Sequence, residues 1–452
     1  MNTRKSHPLI FGTIILTATG LLSRVIGFFY RIYLSRLFGE EGMGIYQLLS
    51  PVLSLSFSLT AAGYQTAISK LVAEQAARQK RPSFRPLMLG LSISLPLSIL
   101  CTFTVYRMAD PIAVGLLKEP RTALMLKILA FSIPFGAVHA CANGYFYGIK
   151  KTGIPAVSQL LEQIARVGCV YILASYSISE GIPPSIHLAV LGLTVGEFFS
   201  MLISFAAAWQ CYLKNRSFGN LPASRTPASW LRADSTAVLY GKLLAMALPL
   251  TANRIVLNLL QSVESVSIPA KLRLYGYDTV TSLSVYGVLT GMALPFIFFP
   301  NALTSSVAIL LLPVISENYA LGDMDAVKRA TTKTIKYCGL MGFGCLLIFV
   351  LFGRWAGTAL FDSPLAGYFI MTLGFICPFL YLDTTLSSIL QGLGMAGHIF
   401  VMNVLCLLIR LSFVFLAVPK FGITGYLWGL LVSQLALGIL YLGCLHRFFK
   451  RH

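Results

Sequence analysis

Apolar residues in this chain are gathered into runs of about twenty and more, and short connections between the runs hold most of the charge. An apolar run of roughly 18 residues or more reads as a membrane-spanning helix, because about 20 residues at 1.5 Å each cross the hydrocarbon of a bilayer. Charged residues are only 11% of the chain and hydrophobic ones 56%. Soluble domains carry about 25% charged residues, so a water-soluble fold would lack a surface. The sequence predicts twelve spans, near 8–35, 43–73, 86–107, 122–147, 154–178, 185–213, 241–268, 279–315, 335–353, 364–391, 397–418 and 421–446. The N-terminal run carries no A-x-A-like cleavage site, so it is expected to stay as the first span.

Lys and Arg number 35 against 16 Asp and Glu. The cations lie between the apolar runs and form no basic stripe, which excludes a nucleic-acid partner. With twelve spans, one side collects the clusters at 4–5, 78–85, 150–151, 214–232, 328–336 and 447–451. By the positive-inside rule that side, with both termini, is expected to be cytoplasmic, in a bacterial cell membrane. Nine cysteines are scattered through apolar segments without C-x-x-C, so they read as small buried hydrophobes.

The chain repeats itself at an offset of 244 residues. Pro51 matches Pro295, Pro134 matches Pro378, Gly148 matches Gly392, and Arg166 matches Arg410. Six spans per half make the repeats parallel, with a site expected between them. The expected organisation is an N-terminal six-helix lobe (1–213), a cytoplasmic linker (214–240) and a C-terminal six-helix lobe (241–452). The second and eighth spans are the longest and contain Pro51 and then Pro295, Pro300 and Pro313, which are expected to bend them. Gly20 and Gly27 repeat at one-face spacing and are expected to let another helix approach.

Charges inside spans cost roughly 2.5–3.5 kcal/mol each on insertion scales, yet several are kept. Arg24 and Arg31 share one face of the first span, seven residues apart. Glu162, Arg166, Glu197, Arg254, Glu264, Asp383 and Arg410 follow in later spans. Guanidinium groups suit bidentate recognition of phosphate, so Arg24, Arg31, Arg166, Arg254 and Arg410 are candidate binders of an anionic head group. Glu162 and Arg166 can instead neutralise each other at i,i+4. Glu264, Asp383, Glu197 and Glu162 are candidates for coupling to Na+ or H+, and Glu264 and Asp383 are each expected to have an arginine counter-ion. The six histidines are dispersed and show no metal-ligand spacing. No nucleotide-binding, zinc-protease or nucleophile-elbow motif occurs. The chain therefore reads as a transport protein and not an enzyme, without cofactor, driven by an ion gradient, the membrane potential or the substrate gradient.

The segment SRVIGFFYRIYLSRLFGEEGMGIYQLLSP (23–51) resembles the opening signature of the stage V sporulation protein B group. That group lies in the polysaccharide-exporter branch of the multidrug/oligosaccharidyl-lipid/polysaccharide flippase superfamily. GMALPFIFFPNALTSSVAILLLPVIS (291–316) and SSILQGLGMAGH (387–398) fit the wider branch. The resemblance implies an all-α fold of two six-helix lobes in a V shape, working by alternating access. It implies an undecaprenyl-pyrophosphate-linked saccharide as substrate, such as the peptidoglycan precursor lipid II, a setting in sporulation, and peptidoglycan synthesis proteins as partners. Related lipid II flippases use arginines of the first helix in a cationic cavity, a position that Arg24 and Arg31 match. Those flippases have two further C-terminal helices for the lipid tail. Their sodium site includes a carboxylate of the eleventh helix, where this sequence has Asn403. The competing expectation is an ion-coupled drug or metabolite antiporter of the same superfamily; a lipid-linked glycosyltransferase and a non-transporting scaffold are further alternatives.

Overall fold

A computed structural model describes residues 7–79, 83–217 and 236–451, with side chains from 18–76, 83–213 and 236–450. Among the described residues the secondary structure is entirely helical. Eleven helices are long and apolar enough to cross a bilayer, and one bent pair passes that test jointly. The protein is therefore a multi-pass membrane protein. In chain order the helices are α1 (His7–Gln47), α2 (Ser50–Ala76), α3 (Arg85–Arg107), α4 (Thr122–Gly148), α5 (Gly153–Ser179), α6 (His187–Leu213) and α7 (Thr236–Tyr275). They continue with α8 (Thr279–Phe298), α9 (Asn301–Ala320), α10 (Met324–Phe361), α11 (Pro364–Gly392), α12 (Ala396–Leu416) and α13 (Ile423–Lys450).

The expected gap between the first two spans is a single residue. Gly39 adopts φ 69°, ψ −175° inside α1, a conformation that glycine reaches without Cβ strain. The predicted eighth span is two helices, α8 and α9, which meet at Phe299–Pro300. The predicted second span is bent as expected: α1 from Ala18 and α2 meet at 47° across Leu48–Leu49, immediately before Pro51. Pro51 occupies the first turn of α2, where a missing N–H is harmless. The irregularity in α2 is a π-helical turn at Ser58–Ala62, and α8 has another at Val288–Ala293. Side chains reach the backbone at both. The Thr60 carbonyl accepts from Ser94 Oγ of α3, and the Thr290 carbonyl lies 3.5 Å from Gln47 Nε2. The predicted linker at 214–240 lies largely outside the described residues (218–235), as do the basic clusters at 4–5 and 225–232. Residues from Thr236 onward are already helical in α7.

Contacts divide the chain into two compact units, Met1–Ile26 with Val52–Asn258, and Gly27–Pro51 with Leu259–His452. The boundaries fall inside α1, at the start of α2 and inside α7, so each unit takes part of α1 and of α7. In the first unit, Leu239, Leu243 and Ala247 of α7 join a core with Tyr64, Ile68 and Leu71 of α2 and Tyr145 and Phe146 of α4. The core of the second unit gathers Ile315 of α9, Leu386, Ile389 and Leu390 of α11, and Leu437 and Tyr441 of α13. Within that unit the C-terminal part of α1 is fastened to the α10–α11 corner. Arg36 Nε donates to the Leu360 carbonyl at 2.9 Å, and Ser363 Oγ donates to Glu40 Oε1 at 2.5 Å.

Helix approach uses glycines other than those expected. Among the described residues, a Cβ at Gly20 or Gly27 would meet nothing within 4 Å. At Gly44 it would lie 2.1 Å from the Leu283 carbonyl oxygen, and at Gly287 it would lie 2.3 Å from the Gly44 nitrogen. The repeat shows in the backbone as well. α4 is interrupted at Phe131, and α11 at Gly374–Ile376, which is the same place at the offset of 244.

Candidate functional site

The five candidate arginines fall into different environments. Arg166 Nη2 lies 2.5 Å from Glu162 Oε1, and both side chains are largely buried in the first unit. Arg410 Nη2 donates to Glu264 Oε2 at 2.6 Å, and its Nε lies 2.5 Å from Oε1 without hydrogen-bond geometry. A hydrogen bond between two ionised groups is among the stronger ones in proteins. Tyr426 Oη donates to the same carboxylate at 2.7 Å, and Glu264 is 4% exposed. These two arginines therefore spend their charge on carboxylates of their own unit.

Arg24 and Arg254 differ. Both belong to the first unit, both are exposed, and among the described residues neither has a hydrogen bond or ion pair. Arg24 lies mid-way along α1, and Arg254 is near the centre of α7, 18 residues from Thr236 and 21 from Tyr275. A mid-span guanidinium is tolerated where it faces a water-filled cavity or a ligand. Arg31 is half-buried and belongs to the second unit, so the two arginines of α1 fall on either side of the division despite their shared helix face.

Of the acidic candidates, Glu264 has the arginine partner expected of it and Asp383 does not. Asp383 is 5% exposed, and its Oδ2 accepts from Gln434 Nε2 at 2.8 Å. Among the described residues its Oδ1 has no hydrogen bond. Burying a carboxylate whose only donor is a neutral amide is costly. Gln434→Leu should therefore lower stability by about 1–3 kcal/mol, the cost of stranding a buried polar group. Gln434→Glu with Asp383→Asn, which re-forms a single-carboxylate pair, should recover most of it. Thermal unfolding of the detergent-solubilised protein measures both.

His139 was not expected at a site, yet it joins two of the acidic candidates. Its ring nitrogens and the carboxylate oxygens of Glu162 and Glu197 all lie within 4.8 Å of one another. Nδ1 is 3.5 Å from Glu197 Oε2, while Nε2 is 2.6 Å from Asn143 Nδ2 and 2.9 Å from Ser200 Oγ. Three helices meet there because α6 carries no side chain where it crosses α5. A Cβ at Gly196 would lie 2.9 Å from the Glu162 carbonyl oxygen, and one at Gly192 would lie 2.4 Å from a Val170 methyl carbon. The small-xxx-small spacing lets the backbones close in and sets Glu197 beside Glu162. A signal for His139 was available, since it matches Asp383 at the offset of 244. Both lobes keep an ionisable group at that place.

The sequence matches the family described as "Polysaccharide biosynthesis protein" over residues 9–319. It is 29% identical to the stage V sporulation protein B of Bacillus subtilis (strain 168) over 420 residues, covering 92% of this chain and 79% of that protein. The fold is similar to that of the lipid II flippase MurJ in an inward closed conformation. That match has a TM-score of 0.69 and 15% identity, and covers 96% of this chain and 87% of the other. It is also similar to an inward-facing multidrug-resistance MATE transporter of the MOP superfamily, with a TM-score of 0.67 and 15% identity over 97% of this chain and 99% of the other.

Proposed function

The chain belongs to the polysaccharide biosynthesis protein family, and on that premise we propose that it is a flippase for an undecaprenyl-pyrophosphate-linked saccharide. One relative is the lipid II flippase MurJ of Bacillus subtilis (strain 168), the structural neighbours are transporters and a flippase, and the fold is that of the MOP superfamily. The observation that carries the reading is the pair of exposed mid-span arginines, Arg24 and Arg254, in one compact unit. A diphosphate head group supplies the compensating anion that a mid-membrane guanidinium needs. Lipid II or a related peptidoglycan precursor is the saccharide of choice, by analogy with the flippase whose fold it shares. Both termini would be cytoplasmic, so that the head group is taken up from the side where such precursors are made. Arg166 and Arg410, held by carboxylates, would set the scaffold. Contacts with peptidoglycan synthesis proteins would hand the lipid on.

A second reading, an ion-coupled antiporter of the same superfamily, is favoured by one feature. Asp383 is a buried carboxylate without a cationic partner among the described residues. That residue serves either reading, as a coupling group for Na+ or H+. Head-group charge separates the two. Arg24→Ala and Arg254→Ala should each weaken binding of undecaprenyl diphosphate about 10–100-fold, the value of one charge-assisted hydrogen bond, while Arg24→Lys and Arg254→Lys lose less. Titration of the detergent-solubilised protein with a fluorescent analogue measures this. Undiminished affinity in both alanine variants would remove the diphosphate assignment.

A further inference from the structure

We infer that His139 and Glu197, flanked by the Glu162–Arg166 pair, form a binding site for one proton inside the first unit. The geometry brings four ionisable groups together from three helices. α4 supplies His139, α5 supplies Glu162 and Arg166, and α6 supplies Glu197. The charged groups that interact with Glu162 are those same three, Glu197, Arg166 and His139. On the side of α4 that packs on α2 and α3, the titratable groups Tyr64, Cys141 and Tyr145 belong to the apolar core and carry no charge near neutral pH.

Charge counting selects the ligand. Glu162 and Arg166 cancel, so with a neutral imidazole the cluster keeps the single negative charge of Glu197. An uncompensated charge in a low-dielectric interior is expensive. One proton brings the sum to zero. A divalent metal would leave a net positive charge and would have to displace Arg166 from Glu162. Sodium is a hard ion that prefers oxygen ligands, whereas the group that bridges to Glu197 here is a ring nitrogen.

The surroundings accommodate both forms of the ring. In the neutral form Nδ1–H faces Glu197 Oε2, and Nε2 accepts from the Asn143 amide. In the charged form Nε2–H can donate to the hydroxyl oxygen of Ser200 at 2.9 Å or of Ser158 at 3.4 Å. Each hydroxyl has an alternative acceptor for its own proton, the Ser158 carbonyl for Ser200 and the Pro155 carbonyl for Ser158. In the charged form the Asn143 amide has to turn its oxygen to Nε2, which leaves its nitrogen facing the Ser204 hydroxyl; with that turn neither state strands a buried donor, which is the condition for a site that loads and unloads.

The inference stands apart from the saccharide assignment, and its test needs no substrate. The full chain, labelled with 15N-histidine and held in lipid nanodiscs, is titrated from pH 5 to pH 9 by NMR. His139→Gln identifies the resonance among the six histidines. The expected result is that His139 passes between neutral and charged imidazole within that range, at equal midpoint in sodium and choline buffers. In Glu197→Gln the cluster is already neutral, and the ring should stay neutral throughout. A His139 resonance that does not move with pH, that moves with NaCl at fixed pH, or that titrates unchanged in Glu197→Gln would overturn the inference. The wild-type titration decides by itself should that variant fail to fold.

Discussion

Replacing Arg410 with alanine should destabilise the protein by about 3–5 kcal/mol, the usual cost of removing one partner of a buried ion pair. Glu264 is 4% exposed and would keep only the hydroxyl of Tyr426, 2.7 Å away, as a donor. A carboxylate with one neutral donor in a membrane interior either stays charged at high cost or takes up a proton. Both outcomes weaken the native packing of α7 against α12 and α13. Glu264→Gln with Arg410→Met removes both charges and leaves an amide oxygen for Tyr426 to donate to. Exchange of a whole buried pair for neutral groups is often close to neutral in stability, so the double variant should unfold near the wild-type temperature. If it also keeps wild-type transport, Arg410 is a counter-ion and not a ligand for substrate. A stable Arg410→Ala single variant would show that the pair contributes little.

The second large effect is expected where α1 crosses α8. Gly44→Val and Gly287→Val would each drive a side chain into backbone, with a Cβ 2.1 Å from the Leu283 carbonyl oxygen in one case and 2.3 Å from the Gly44 nitrogen in the other. Backbone atoms of two packed helices cannot rotate away as a side chain can. Each substitution should therefore cost about 3 kcal/mol, the upper part of the range for overpacked interiors. The expected readout is loss of the monodisperse folded species on size exclusion. Gly20→Val and Gly27→Val serve as controls, because each Cβ would meet open space. Those two should purify like the wild type.

These contrasts explain what could be read along the chain and what could not. Spans are legible because the length of an apolar run is a local property. The interruption at Pro300 and the break at Gly39 are likewise local, and both sit where turn residues mark them. The i,i+4 pair of Glu162 and Arg166 is legible for the same reason. The partner of Glu264 is not, since Arg410 lies 146 residues away and several other cations would have served as well. Asp383 shows how that inference fails, for its partner is an amide on α13. Glycine spacing gave Gly20 and Gly27 on periodicity alone, whereas the close approach is decided by which helix lies opposite. His139 was concealed because a single histidine in an apolar helix carries no pattern. Only the internal repeat, which sets it against Asp383, distinguishes it from its neighbours.

The division of the arginines bears directly on transport. Two are neutralised by carboxylates of their own units, and two are exposed without a partner among the described residues. On the proposed reading, recognition of an anionic head group falls on Arg24 and Arg254. The measurement that tests this most directly is translocation of lipid II in proteoliposomes, comparing the wild type, Arg24→Ala with Arg254→Ala, and protein-free vesicles. The expected result is that the wild type moves the lipid and that the double variant, at equal amounts of folded protein, is slower by about 100-fold or more, from two lost charge-assisted contacts. Wild-type vesicles that behave like protein-free ones under proton gradients, sodium gradients and an imposed potential would contradict the flippase assignment and put the antiporter reading in its place.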